Sequence, residues 1–195
     1  MTNLIEDFGK ALANHNAQRN KKILLSAAPF SVGAYYNGDY TNAKPYSSHS
    51  GMWVNPLKSA GHYLDIINIM SYDAGHYTFE DTRNSRSSVD FNPIEAYQAY
   101  KSIFKGIVNV GVEAPPEAWG GNVVEADHIK MISSSIEKDS GDGLFLWSLQ
   151  KPSGGSMSTS AIAELMCQEL GGSDCVGLQG ELPAKKAIQA EFIQN

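Results

Sequence analysis

The chain has 195 residues, with 15 Lys and Arg against 21 Asp and Glu, and its net charge of −6 leaves no basic stripe for a phosphate backbone. Apolar residues make up 42% and charged ones 18%, which suits one enclosed core and excludes disorder, collagen and coiled coil. No run of about 18 apolar residues occurs, so no membrane span is expected, and the opening MTNLIEDFGKAL lacks the apolar centre of a signal peptide.

Residues 3–15 read as a helix: Leu4, Phe8 and Leu12 repeat at helical spacing, Asn3 can cap, and Glu6 follows three later. Residues 23–28 (ILLSAA), closed by Pro29, read as a short strand buried on both faces, as in a parallel sheet. A loop rich in Gly, Asn, Ser and Tyr covers 30–55. A second strand follows at 64–70 (LDIINIM), then a polar loop over 72–91. Asn92-Pro93-Ile94-Glu95 combines an N-cap, a proline at the first helical position and a capping glutamate. That helix sets Tyr97, Tyr100 and Phe104 on one face and stops at Gly106. Residues 107–112 (IVNVGV) form a third strand, and 123–138 a helix with Ile129, Ile132 and Ile136 on a stripe. A fourth strand occupies 143–149 (GLFLWSL), and the last helix, 158–170, is stopped by Gly171 and Gly172.

Four buried strands alternating with helices imply parallel pairing with right-handed crossovers. No Gly-x-Gly-x-x-Gly or Walker-type loop follows a strand, which argues against a nucleotide-binding sheet. A complete (β/α) barrel needs eight strands and about 250 residues. The expected fold class is therefore α/β, a parallel half-barrel over residues 1–172, with 173–195 as an extension. In that extension Pro183 opens a short helix carrying Ile188 and Phe192, a lid or a linker. Cys167 and Cys175, flanking a Gly-Gly-Ser-Asp turn, suit either a small disulfide loop or two free thiols.

Chemistry in parallel sheets gathers at the C-terminal strand ends. Those ends carry Met70, Tyr72 and Asp73, then Glu113, then Trp147. An inward-facing indole makes a flat floor of the kind that takes the apolar face of a sugar, whose hydroxyls need polar partners at the rim. On the residues alone Trp147 reads as a core residue before a sugar floor, and Met70 as packing beneath Tyr72. Asp73 and Glu113 suit either a paired acid and base or structural roles, such as a helix cap or an ion pair with Arg83 or Arg86. Tyr35, Tyr36, Tyr40 and Trp53 are further sugar platforms or the long loop's own packing. His49, His62, His76 and His128 show no ligand spacing, so neither metal nor cofactor is expected, and His128 reads as solvated. Ser148 has no Gly-x-Ser-x-Gly elbow.

Taken in order, these motifs resemble the second half of family 18 glycoside hydrolases, the chitinase family. LDIINIMSYDAG resembles the sixth strand with its Met-x-Tyr-Asp signature at Met70, Tyr72 and Asp73, and GLFLWSL the eighth strand with its sugar-stacking tryptophan at Trp147. KILLSAAP resembles strand five, and IVNVGVEAPPEAWGG strand seven, although Glu113 stands where the family usually has proline. The catalytic signature of the family's fourth strand, Asp-x-x-Asp-x-Asp-x-Glu, occurs nowhere in this chain, whose first helix resembles the one that follows that strand.

The resemblance implies that Tyr72 holds an acetamido oxygen, Asp73 contacts the sugar, Met70 backs the pocket and Trp147 stacks beneath it. None of these is expected to be a proton donor of raised pKa, so the isolated chain is expected to bind chitin or N-acetylglucosamine oligomers without cleaving them. The resemblance also implies an extracellular setting. The open edges of a half-barrel predict pairing with a separate N-terminal half or with a second copy. Three readings follow: part of a chitinase, a lectin-like chitin-binding module, or a scaffold with loops 30–55 and 72–91 as partner surface.

Overall fold

The computed structural model describes residues 1–19, 22–119, 123–151, 157–173 and 175. Helix α1 (Thr2–Gln18) leads into strand β1 (Ser26–Ala27), and α2 (Val54–Ala60) precedes β2 (Ile66–Ile69). Two short strands follow, β3 (His76–Tyr77) and β4 (Asp90–Phe91). Then come α3 (Pro93–Ile103), β5 (Ile107–Glu113), α4 (Ala126–Ser135), β6 (Gly143–Trp147) and α5 (Thr159–Glu169). The main sheet has the order β1-β2-β5-β6 with every pairing parallel, the arrangement of half a β/α barrel. The loop expected over 72–91 instead contains β3 and β4, which pair with each other, and the loop over 30–55 contains tight turns at Ser31–Ala34 and Gly38–Asn42. The short helix expected from Pro183, a lid or a linker, lies outside the described residues.

The sheet has one covered face. Ile67, Ile69, Val108, Val110 and Val112 are fully buried beneath the helices, against Ala96, Tyr97, Tyr100, Ile129 and Ile132. Their alternate neighbours, Ile66, Asn68, Asn109, Phe145 and Trp147, lie on the inner face, and all of β6 is half-buried or exposed. The expectation of strands buried on both faces is thus corrected. Continuous apolar runs mark a barrel interior, and four strands supply only part of the layers that fill one. Asn68 accepts a hydrogen bond from the Asn109 side chain at 2.9 Å on this inner face, pairing two polar groups that an open face leaves near water.

Two aspartates set the strand register. Asp65, just before β2, accepts the Leu25 N–H at 2.9 Å, and Lys22 at 2.6 Å holds its carboxyl below the usual range. Asp142, just before β6, accepts the Val108 N–H at 2.8 Å and the Tyr97 hydroxyl at 2.7 Å, and pairs with Lys101 at 2.9 Å. Each ties the entry of one strand to its neighbour, and Asp142 also ties it to α3.

Several helix details differ from expectation. Asn92 caps α3 by accepting from the Ile94 and Glu95 N–H groups, but the Glu95 side chain accepts from Thr82 instead of closing a capping box. Helix α1 starts at Thr2 with no side-chain cap, so Asn3 is not the cap. Leu4 and Phe8 are 60% and 56% exposed, because α1 buries Ile5 and Gly9 instead, and any Cβ at Gly9 would strike Tyr63 in the turn that follows α2. Helix α4 is shorter than 123–138 and is capped by Glu125, whose own N–H donates to His128 Nδ1. His128 is therefore half-buried, lying against Tyr77 and Phe79, and not merely solvated. Cys167 and Cys175 form a disulfide.

Candidate functional site

The C-terminal ends of β2, β5 and β6 bring Tyr72, Glu113 and Trp147 to one rim. Register explains this: Glu113 pairs with Trp147 and Gly111 with Phe145, so all four project to the inner face. Tyr72 lies across Gly111, where a Cβ would sit 2.8 Å from the tyrosine ring and 2.6 Å from the Ile69 carbonyl oxygen. A glycine here is therefore a steric requirement, since only a missing side chain lets the ring reach the sheet. Tyr72 stacks nearly parallel to Trp147, with centroids 6.5 Å apart at 9°, and meets Phe145 edge-on at 6.2 Å. Trp147 is 53% exposed, so its free face is presented to solvent, and of its two readings the core is excluded. The peptide from Trp147 to Ser148 is cis.

Asp73 takes a left-handed backbone conformation with φ of 53°, which Asp tolerates better than most residues. Its carboxylate accepts the Trp119 N–H at 3.0 Å, and Arg83, one of the two arginines offered as an ion-pair partner for the rim carboxylates, pairs with Asp81. Glu113 is 2% exposed. One of its oxygens accepts from Lys151, which also donates to the Pro116 carbonyl at 3.0 Å, while the other has no partner among the described residues. Burial pushes the Glu113 carboxyl up and the neighbouring Asp73 carboxylate adds to that, with Lys151 opposing. A carboxyl of raised pKa thus lies at this rim, on a residue for which the sequence left an acid–base pair and a structural role open, but it is covered and ion-paired. Burial, with Glu113 and Asp73 behind it, also raises the Tyr72 hydroxyl, which stays protonated and able to donate at neutral pH.

Met70 is half-buried and lines, with Tyr72, Asp73, Phe30 and His49, a cleft of about 380 Å³ beside the aromatic pair. Of the loop aromatics, Tyr35 is buried in the core, Tyr40 and Trp53 pack against it, and Tyr36 is exposed against Tyr46. Lys151 and Trp119 were missed by the sequence reading. Neither carries a local signal, since both act from loops through contacts more than 30 residues away in the chain. Among the described residues no cluster suited to a metal ion occurs.

No family model and no curated protein matches the chain. Among solved structures it is similar to a chitinase, ChiW from Paenibacillus sp. str. FPU-7, described as a bacterial cell-surface-expressed multi-modular enzyme machinery. The TM-score is 0.55 at 14% identity, over 87% of this chain and 19% of that one. The chain thus spans about a fifth of that protein's length, and the likeness is one of fold.

Proposed function

We propose that this chain is a family 18-like glycoside hydrolase segment that binds chitin or N-acetylglucosamine oligomers on Trp147 and Tyr72 and does not hydrolyse them alone. The carrying observation is the exposed Trp147 face backed by a stacked Tyr72. A pyranose laid on the indole buries its apolar face. The Tyr72 hydroxyl donates to an acetamido oxygen, and Asp73 accepts from sugar hydroxyls or N–H at the edge. Glu113 and Met70 support this from beneath and beside it. The sequence holds no Asp-x-x-Asp-x-Asp-x-Glu, and the raised carboxyl of Glu113 is covered and paired with Lys151, so among the described residues no exposed carboxylic acid of raised pKa faces the floor. The Cys167–Cys175 disulfide supports an oxidising, extracellular setting.

Titration of tryptophan fluorescence with chitotetraose tests this reading. Saturable quenching that disappears in Trp147→Ala is expected, and a flat titration of the intact chain would refute it. A second reading, association with an N-terminal half-barrel or a second copy, is favoured by the uncovered inner face and the unpaired outer edges of β1 and β6 among the described residues. Sedimentation of the chain as a clean monomer, with no uptake of an added N-terminal half, would count against it.

A further inference from the structure

We infer that Glu113 in its neutral form is a positioning residue for Asp73, the two carboxyls sharing one proton, so that sugar binding at this rim takes up a proton. This rests on the floor proposed at Trp147 and adds how that site responds to pH. Glu113 is only 2% exposed, and its two oxygens stand in unequal surroundings. Oε1 accepts from Lys151, whose ammonium also donates to the Pro116 carbonyl at 3.0 Å and so ties the chain after β6 to the chain after β5. Oε2 is buried with no partner among the described residues. A buried, ionised oxygen without a donor is costly, and a proton on that oxygen removes the cost. Burial favours the neutral form first; Asp73 adds to this by accepting a hydrogen bond from it, against the pull of Lys151. Two carboxylates cannot bond to each other without a proton. With one proton on Oε2 every group has a partner: Lys151 donates to Oε1, Oε2 donates to Asp73, and Asp73 keeps the Trp119 N–H. Asp73 is then fixed from two sides, and its remaining lone pairs face the sugar.

The charged groups against Glu113 are Lys151 and Asp73, and the Tyr72 hydroxyl is its third titrating neighbour. Farther out, His76 lies against Trp119 with ring centroids 5.0 Å apart, and His49 lines the cleft beside Asp73. Glu117, on the loop that carries Trp119, accepts the Val124 N–H at 3.3 Å. Without the shared proton, two negative charges face one ammonium. Glu113 is the register partner of Trp147 across β5 and β6, so a pyranose laid on the indole expels water beside the carboxyl pair. Desolvation penalises the second negative charge, which favours the protonated pair. By linkage, the proton must then favour the sugar in equal measure.

Calorimetric titration of the full chain with chitotetraose, from about pH 5 to about pH 8 in paired buffers of different ionisation enthalpy, counts the protons taken up. Uptake approaching one proton is expected, with affinity falling about tenfold across the range, the effect of one charge-assisted hydrogen bond. Glu113→Gln holds the neutral shape permanently, its carbonyl oxygen accepting from Lys151 and its amide donating to Asp73. It should bind at neutral pH as tightly as the unaltered chain does at acid pH, with no uptake and no slope. His76→Gln and His49→Gln should retain both. A glutamine variant that binds more weakly at every pH, as loss of a merely structural ion pair would give, or a slope that vanishes with either histidine, would overturn the shared proton. Should Glu113→Gln fail to fold, the proton count on the unaltered chain decides alone. Binding without uptake or slope would overturn the shared proton and leave the floor standing, whereas absence of binding at every pH would overturn both.

Discussion

Gly111 offers the sharpest test of how the aromatic rim is built. In Gly111→Ala the new methyl would lie 2.6 Å from the Ile69 carbonyl oxygen, 2.7 Å from the Phe145 ring and 2.8 Å from the Tyr72 ring. The carbonyl belongs to the backbone of β2 and cannot give way, so the two rings must move. Reaching ordinary contact at about 3.5 Å asks about 0.7 Å of the Tyr72 ring. Overpacking of this kind costs about 1–3 kcal/mol, against which removing a glycine from the unfolded chain returns about 0.4–1 kcal/mol. A net loss of about 1–2 kcal/mol should lower the urea midpoint by roughly 0.5–1 M at an m-value of about 2 kcal/mol/M. Tilting Tyr72 off Trp147 should also weaken chitotetraose binding about tenfold. Gly143→Ala is the control: on the same inner face it meets only Asn109 Oδ1 at 3.2 Å and Leu170 Cδ1 at 3.9 Å, and should cost under about 1 kcal/mol. Equal stability and affinity in Gly111→Ala and the unaltered chain would refute the steric account.

Three further outcomes follow from the same geometry. Asp142→Ala strands the Val108 N–H and the Tyr97 hydroxyl and leaves Lys101 only its longer pairing with Glu137 at 3.3 Å, and should cost about 3–5 kcal/mol in chemical denaturation; a loss below about 1 kcal/mol would show that these bonds are replaceable. Reduction of Cys167–Cys175, or Cys175→Ser, reopens a small loop and should cost about 2–3 kcal/mol, read as a fall in thermal midpoint with reductant. Glu113 has a raised folded pKa, so between its ordinary and its folded value the native state holds more protons than the unfolded one, and stability falls as pH rises through that window. Glu113→Gln should flatten this slope, and an unchanged profile in urea midpoints across that range would place the titration elsewhere.

The strand and helix order was legible because each signal is local. Pro93 with Asn92 writes its own helix start, and runs such as IINI and IVNVGV carry enough β-branched residues to declare strands. Periodicity misled where a contact was lost with distance: Leu4 and Phe8 repeat correctly, but Gly9 allows the opposite face of α1 to close on Tyr63. The motif residues Met70, Tyr72 and Trp147 were readable from their places at strand ends. Lys151 and Trp119 were not, because their roles come from loops meeting across the rim. Glu95 shows the same limit. It stands where a capping glutamate belongs, yet a buried threonine 13 residues earlier takes both its oxygens.

The two faces of the sheet explain how the proposed site can stand on four strands. The helix-covered face supplies the core, through Ile67, Ile69 and the valines of β5, and needs no further strands to be dry. The inner face contributes little to that core. Its polar pair Asn68 and Asn109 satisfies itself, its glycines at 111 and 143 save space, and its large aromatics sit at the rim. Stability and the proposed recognition therefore fall to alternate residues of the same strands, separated by the two-residue period. Register joins them: a slip of one residue along β5 would turn Glu113 into the core and Val112 onto the rim. Asp65 and Asp142, which fasten strand entries to their neighbours, thus hold Tyr72 against Trp147 from the opposite end of the sheet. Loss of either aspartate should disturb the aromatic floor as well as the fold.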